Sequence, residues 1–216
     1  MVGKKYYKIL IIFFLAFAYT GCGKKISRLE IGGIADGEKN RRRIVSDSFN
    51  RTNNLTTLGN AETGHLWNYT GGAVYGVQNN RAVLISAGGG ALVQINETDL
   101  IAIQIEISVS GTDFSLIFRY ISGATHWVLQ FDTSLGGLRL EKDINGISTV
   151  RGITSISIAN GDTMRIELRG CNIQAYISGA KIFDIIDCDA GGETGYGFED
   201  TAGGTVFDNF FIEALE

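Results

Sequence analysis

The chain contains no proline, so its turns cannot use a ring-fixed φ and must be built from Gly, Asn, Asp and Ser. Histidine and cysteine are scarce too, with 2 and 3 residues among 216. A His/Cys metal site is implausible on that supply, because such sites draw four ligands from those residue types. Positive charge is not in excess either. The formal net charge is −4, whereas nucleic-acid binders normally present a basic face, so no nucleic-acid partner is expected. Extended apolar runs are missing apart from Ile9 to Ala18. That run is far short of the roughly 20 residues a membrane-spanning helix needs.

What is abundant is glycine, 29 residues, with many Ile, Val, Thr, Phe and Tyr. These residues suit pleated, half-buried surfaces separated by tight turns. The amino terminus is different. Lys4, Lys5 and Lys8 precede the apolar run, and small or polar residues follow it at Thr20 and Gly21, which is the layout of a secretory signal. Tyr19-Thr20-Gly21-Cys22 resembles a bacterial lipobox, although Tyr19 stands where an aliphatic residue is usual. That resemblance implies lipidation of Cys22, membrane attachment through the lipid, and residence at the outer membrane or cell surface. Residues 1–21 are therefore read as the signal. Residues 22–46, polar and carrying Arg41-Arg42-Arg43, read as a flexible tether, and 47–216 as one folded domain.

From Asp47 onward, short apolar runs alternate with Gly or Asn turns and no stretch keeps helical periodicity, the pattern of an all-β sandwich or barrel. Expected strands include Ile101–Ser110, Phe114–Ile121, His126–Asp132, Leu138–Lys142, Thr154–Ile158, Thr163–Arg169, Ile173–Ile177, Lys181–Ile185 and Val206–Ala214. A turn centred on Gly123-Ala124 would set Tyr120 opposite Trp127, Phe118 opposite Leu129 and Leu116 opposite Phe131, placing all six on one buried face. The other face of these strands would then carry Arg119, His126, Gln130, Asp132, Arg139 and Glu141. This is a solvated sheet by default and a polar ligand face as the functional alternative. Cys171 and Cys188 flank one hairpin, and in an exported chain paired cysteines normally bridge. A single-residue bulge in that hairpin would separate them.

Several segments resemble the concanavalin A-like lectin/glucanase superfamily. They are Asp47-Ser-Phe-Asn-Arg51 with Trp67, Leu116-Ile-Phe-Arg-Tyr120 followed by His126-Trp-Val-Leu-Gln130, Gly161 to Glu167, Gly195-Tyr-Gly-Phe198, and Asp208 to Ile212. The resemblance implies a two-sheet antiparallel jelly-roll sandwich and a place among lectins, carbohydrate-binding modules, adhesive domains and glycanases. The glycanases of that group carry paired carboxylates. Glu106 and Glu167 are the nearest candidates here, and neither has a second carboxylate two or four positions away. No catalytic residue or cofactor is therefore expected. Asp187, Asp189, Glu193, Glu199 and Asp200 could supply oxygen ligands to Ca²⁺, but their spacing matches no EF-hand-type loop. The expected function is a non-catalytic surface-binding or adhesion module for a polysaccharide or other surface ligand. The alternatives are a jelly-roll glycoside hydrolase or a structural surface protein of phage origin.

Overall fold

The computed structural model describes residues 41–86, 88–97 and 100–216. The expected signal, Cys22 and most of the expected tether lie outside the described residues. In chain order the strands are β1 (Arg43–Asp47), β2 (Asn68–Tyr69), β3 (Val74–Gln78), β4 (Arg81–Ser86) and β5 (Gly90–Gln94). Next come β6 (Leu100–Val109), β7 (Phe114–Ser122), β8 (Thr125–Asp132), β9 (Gly137–Ile144) and β10 (Ile147–Thr154). The chain closes with β11 (Asp162–Arg169), β12 (Asn172–Ile177), β13 (Ala180–Ile186), β14 (Gly195–Asp200) and β15 (Val206–Ala214). No helix occurs among the described residues. The sheet already starts at Arg43, so residues 43–46 belong to the sandwich rather than to the tether assigned to 22–46.

Two antiparallel sheets make a jelly-roll sandwich. One runs β13-β12-β11-β6-β15-β4-β3, with β1 also paired to β15; the other runs β10-β9-β8-β7-β14-β5-β2. Alternation along each strand sends one set of side chains inward. Ile101, Ile103, Ile105 and Ile107 of β6, with Met164, Ile166 and Leu168 of β11, are fully buried from the first sheet. They share a core with Leu116, Phe118, Trp127, Leu129, Leu138, Leu140, Tyr196 and Phe198 of the second.

With no proline available, positive φ makes the turns. Asn79-Asn80, Asn145-Gly146 and Ser178-Gly179 each place both central residues at positive φ, the twist that two-residue hairpins need. The Asn145-Gly146 turn corrects one expected strand. It returns the chain as β10, the edge strand beside β9, whereas the predicted Thr154–Ile158 strand does not form.

The central hairpin carries the larger correction. Ser122 does face Thr125, but Phe118 faces Trp127, Leu116 faces Leu129 and Phe114 faces Phe131. Arg119, Tyr120 and Ile121 of β7 therefore stand opposite the single residue His126, an enlarged β-bulge in which Arg119 takes a φ of 49°, in the left-handed region that few L-residues adopt. A register displaced by two residues leaves the faces unchanged, so Leu116, Phe118, Trp127, Leu129 and Phe131 still point inward. Tyr120 does not.

At the β12–β13 hairpin a bulge falls between Ala175 and Tyr176. Cys171 then lies beside Asp187, whose N–H donates to the Cys171 carbonyl at 2.8 Å. Both cysteines lie beyond the ladder, so the chain is free to turn Cys188 back. Their sulfurs are bonded, with Cα atoms 4.4 Å apart.

Candidate functional site

The outer face of the second sheet, where a ligand face was expected, divides into two parts. Around Arg139 the polar side chains are occupied with one another. Its Nε and Nη2 donate to Gln130 Oε1 at 3.1 and 2.8 Å, Nε lies 3.1 Å from Glu141, and Nη1 lies 3.5 Å from Asp132. Asp132 also accepts from the N–H groups of Ser134 and Leu135. The Ser134 hydroxyl first, with those N–H groups, holds its carboxyl below the usual range despite some burial. His126 sits 3.6 Å from Asp143 on the neighbouring strand. Gln130, Asp132, Arg139, Glu141 and His126 thus share this face, largely as a cross-strand polar network.

Arg119 is not among them. The bulge turns its side chain inward, where it is 1% exposed and donates to the carbonyls of Asp187 at 3.0 Å and Gly170 at 2.5 Å. These carbonyls belong to the ends of the opposite sheet, so Arg119 ties the two sheets together. Trp127 Nε1 donates to the Asp189 carbonyl at 3.0 Å. Lys142 pairs with the carboxylates of Asp187 and Asp189, and Arg151 lies 3.2 Å from Asp187. Burial pushes the Asp187 carboxyl up, but Lys142 and its other partners hold it below the usual range on balance.

The second part of the outer face centres on Tyr120, which took Arg119's expected place. Its ring packs on Leu92, Ile117 and Val128, a small buried apolar cluster separate from the main core. It lies 5.8 Å from the His126 ring, centroid to centroid. Space for it comes from β14. Gly195 faces Tyr120, and Gly197 faces Ile117. A Cβ at Gly195 would come within 2.9 Å of the Tyr120 Cβ. Burial raises the phenol above its ordinary pKa; a hydrogen bond with Thr70 opposes the shift and the Glu199 charge adds to it. The Thr70 N–H also donates to the Gly90 carbonyl at 3.0 Å, and Glu199 stands opposite Gly90 on β14, so both border the same strand at this end of the face.

Glu199 opposes Ser115 on one side and Gly90 on the other. The described residues give its carboxylate no hydrogen bond or ion pair. Burial, then the nearby Asp200 charge, pushes its carboxyl above the usual range. Asn68 and Gln94 are exposed at this end of the sheet.

The other expected acids are dispersed. Asp200 is buried and accepts from the N–H groups of Gly203 and Thr205, while Asp187 and Asp189 are held by Lys142. Glu106 faces Thr163, and Glu167 faces Ala102. Four residues of ladder separate them, about 13 Å, too far for the paired carboxylates of glycoside hydrolysis. Glu167 is also paired with Arg165 at 2.9 Å, and Glu106 accepts from Asn209 at 2.8 Å. A cleft of about 50 Å³ near Asp47, Ser48 and Asn209 is small for a sugar ring.

No known protein family matches this chain, and no curated protein does. Solved structures do. A carbohydrate-binding module, CBM66, from Bacillus subtilis superposes with a TM-score of 0.59 at 17% identity, over 68% of this chain and 95% of that one. Domain 4 of an extracellular GH43 arabinanase from Geobacillus stearothermophilus, in complex with arabinotriose, gives 0.53 at 14% identity, over 81% and 93%. A mutant GH43 protein from Bacillus licheniformis gives 0.58 at 14% identity, over 79% of this chain and 39% of that one. The likeness is one of fold. It places this chain among two-sheet antiparallel jelly-roll sandwiches, and the identities carry no individual binding residue across.

Proposed function

We propose that the sandwich is a non-catalytic glycan-binding module whose ligand lies on the outer face of the second sheet. The observation that carries this reading is Tyr120, an aromatic ring held at the surface over a floor of Gly195 and Gly197 and surrounded by polar side chains. An aromatic body with a polar tip suits a ligand that has one apolar face and a rim of hydroxyls. Two of the structurally similar proteins named above are a carbohydrate-binding module and a domain solved with arabinotriose, which supports the same class of ligand. The separation of Glu106 from Glu167 speaks against hydrolysis by that pair.

We also propose that the chain is exported and anchored through a lipid on Cys22. The support is the basic, apolar and small-residue order of residues 4–22, together with the Cys171–Cys188 bridge, which persists in oxidising compartments. The test of the binding reading is a polysaccharide pull-down and glycan array with the purified full-length chain. Retention on at least one glycan without release of reducing sugar is expected. Binding to a protein partner with no glycan retained would refute it.

A further inference from the structure

The charges on the ligand face narrow the kind of glycan it can take. Asp132, Glu141, Asp143 and Glu199 all lie on the outer side of β8, β9 and β14, as their ladder positions require. Against them this group of strands offers Arg139, whose guanidinium is already committed to Gln130, Glu141 and Asp132. His126 adds a ring beside Asp143. A ligand carboxylate entering here would meet several negative charges and no uncommitted guanidinium on these strands.

Glu199 differs from the other three acids. Asp132 is held by the Ser134–Leu135 turn and Glu141 by Arg139, and Asp143 faces His126. Glu199 is part-buried with its Cβ beside Gly90 and Ile117, a member of the apolar cluster against which Tyr120 packs, with no donor reaching its oxygens among the described residues. A part-buried carboxylate that has given up some of its water gains when a donor reaches it. A hydroxyl or ammonium on a sugar ring stacked against Tyr120 would be such a donor, and a charge-assisted bond is about twice as strong as a neutral one.

On the reading that this face binds glycan, we propose that Tyr120 and Glu199 form one subsite that takes a hydroxyl- or ammonium-bearing sugar and excludes uronic acids. Tyr120 supplies the stacking surface. Glu199 accepts hydrogen bonds from the ring substituents, and the surrounding carboxylates repel acidic glycans. Gly195 is part of the site, because a Cβ there would press on the Tyr120 carbonyl and Cβ and displace the ring.

The test is calorimetric titration of the full-length chain with three probes: an oligomer of glucosamine, its N-acetylated counterpart, and an oligogalacturonate. At pH 7 the first two should bind, the amine form more tightly, and the uronate should not. Tyr120→Ala should weaken binding of both by about tenfold, with Tyr120→Phe retaining most of the affinity. Glu199→Gln, which keeps shape and removes charge, should abolish the preference for the amine form. Lys181→Ala, on the opposite sheet, is the control and should leave all affinities as they are. Uronate binding equal to that of the neutral oligomer, or full affinity in Tyr120→Ala, would overturn the subsite while leaving glycan binding standing. Failure of all three probes, together with failure of every glycan on the array, would overturn both.

Discussion

Arg119 offers the most discriminating perturbation. As an outward side chain on a wetted sheet its truncation would change stability by less than about 0.5 kcal/mol. Buried and bonded to two carbonyls, it should behave differently. Each charge-assisted hydrogen bond contributes about 1.5–3 kcal/mol net, and Arg119→Ala removes the pair to Asp187 and Gly170. Releasing a buried charge back to water offsets part of that loss, leaving a net cost of about 3 kcal/mol. For a domain of this size that lowers Tm by roughly 6–12 °C. The backbone adds an internal control. At φ 49° an L-residue carries strain of about 1–2 kcal/mol that glycine does not. Arg119→Gly should therefore be less destabilised than Arg119→Ala by about that amount, although both lose the same bonds. Equilibrium urea unfolding with the disulfide intact reads both numbers. A wild-type midpoint for Arg119→Ala, or Ala and Gly variants of equal stability, would show that the bulge is not as described.

Three further outcomes follow from particular contacts. Asp47 is fully buried and accepts from the Phe49 N–H, both terminal nitrogens of Arg51, and Trp67 Nε1; Asp47→Ala should cost about 3–5 kcal/mol in urea unfolding, and a loss below 1 kcal/mol would contradict that role. Glu199 carries a raised carboxyl pKa, chiefly from burial, so folding favours its protonated form: its contribution to stability is present at low pH and is lost as pH rises through the folded pKa. Glu199→Gln should accordingly be more stable than wild type at pH 8 and no different at pH 4, and parallel pH profiles for the two proteins would reject the desolvated carboxylate. Mass spectrometry of the native protein should find a mature chain beginning at Cys22 with acyl mass added, and a different amino terminus would remove the anchor.

Alternation made much of the sandwich legible. Four isoleucines at every second position from Ile101 to Ile107, and Met164-x-Ile166-x-Leu168, can serve a buried face in one register only. The Trp127 hairpin was readable for the same reason, since its five core residues keep their face under a two-residue displacement. The bulge was not readable. Nothing in Phe118-Arg119-Tyr120 announces a positive φ at a long-chain residue, and polar Arg followed by aromatic Tyr suggests the reverse of their actual directions. The edge strand β10 did have a signal, because Asn145-Gly146 is a strong two-residue hairpin turn. Its flanking run, Ile147 to Thr154, is mostly exposed and gives no alternation to confirm it. The candidate site suffered most from these limits, since it depends on which side of one strand a single tyrosine occupies.

That dependence joins stability to function at one place in the chain. The same enlarged bulge sends Arg119 inward to the carbonyls beside Cys171 and Cys188, and sends Tyr120 outward onto the glycines of β14. A regular β7 would keep strict alternation, burying Tyr120 in the core and leaving Gly170 and Asp187 without their guanidinium. The sandwich would then lose its inter-sheet tie and its surface aromatic together. Bulges commonly re-aim side chains beside binding sites, and here the inward arginine stabilises the backbone that the outward tyrosine needs. A deletion that shortens the bulge, removing Arg119 alone, should therefore weaken glycan binding and stability in the same variant, whereas Tyr120→Ala should weaken binding while leaving the Arg119 contacts in place.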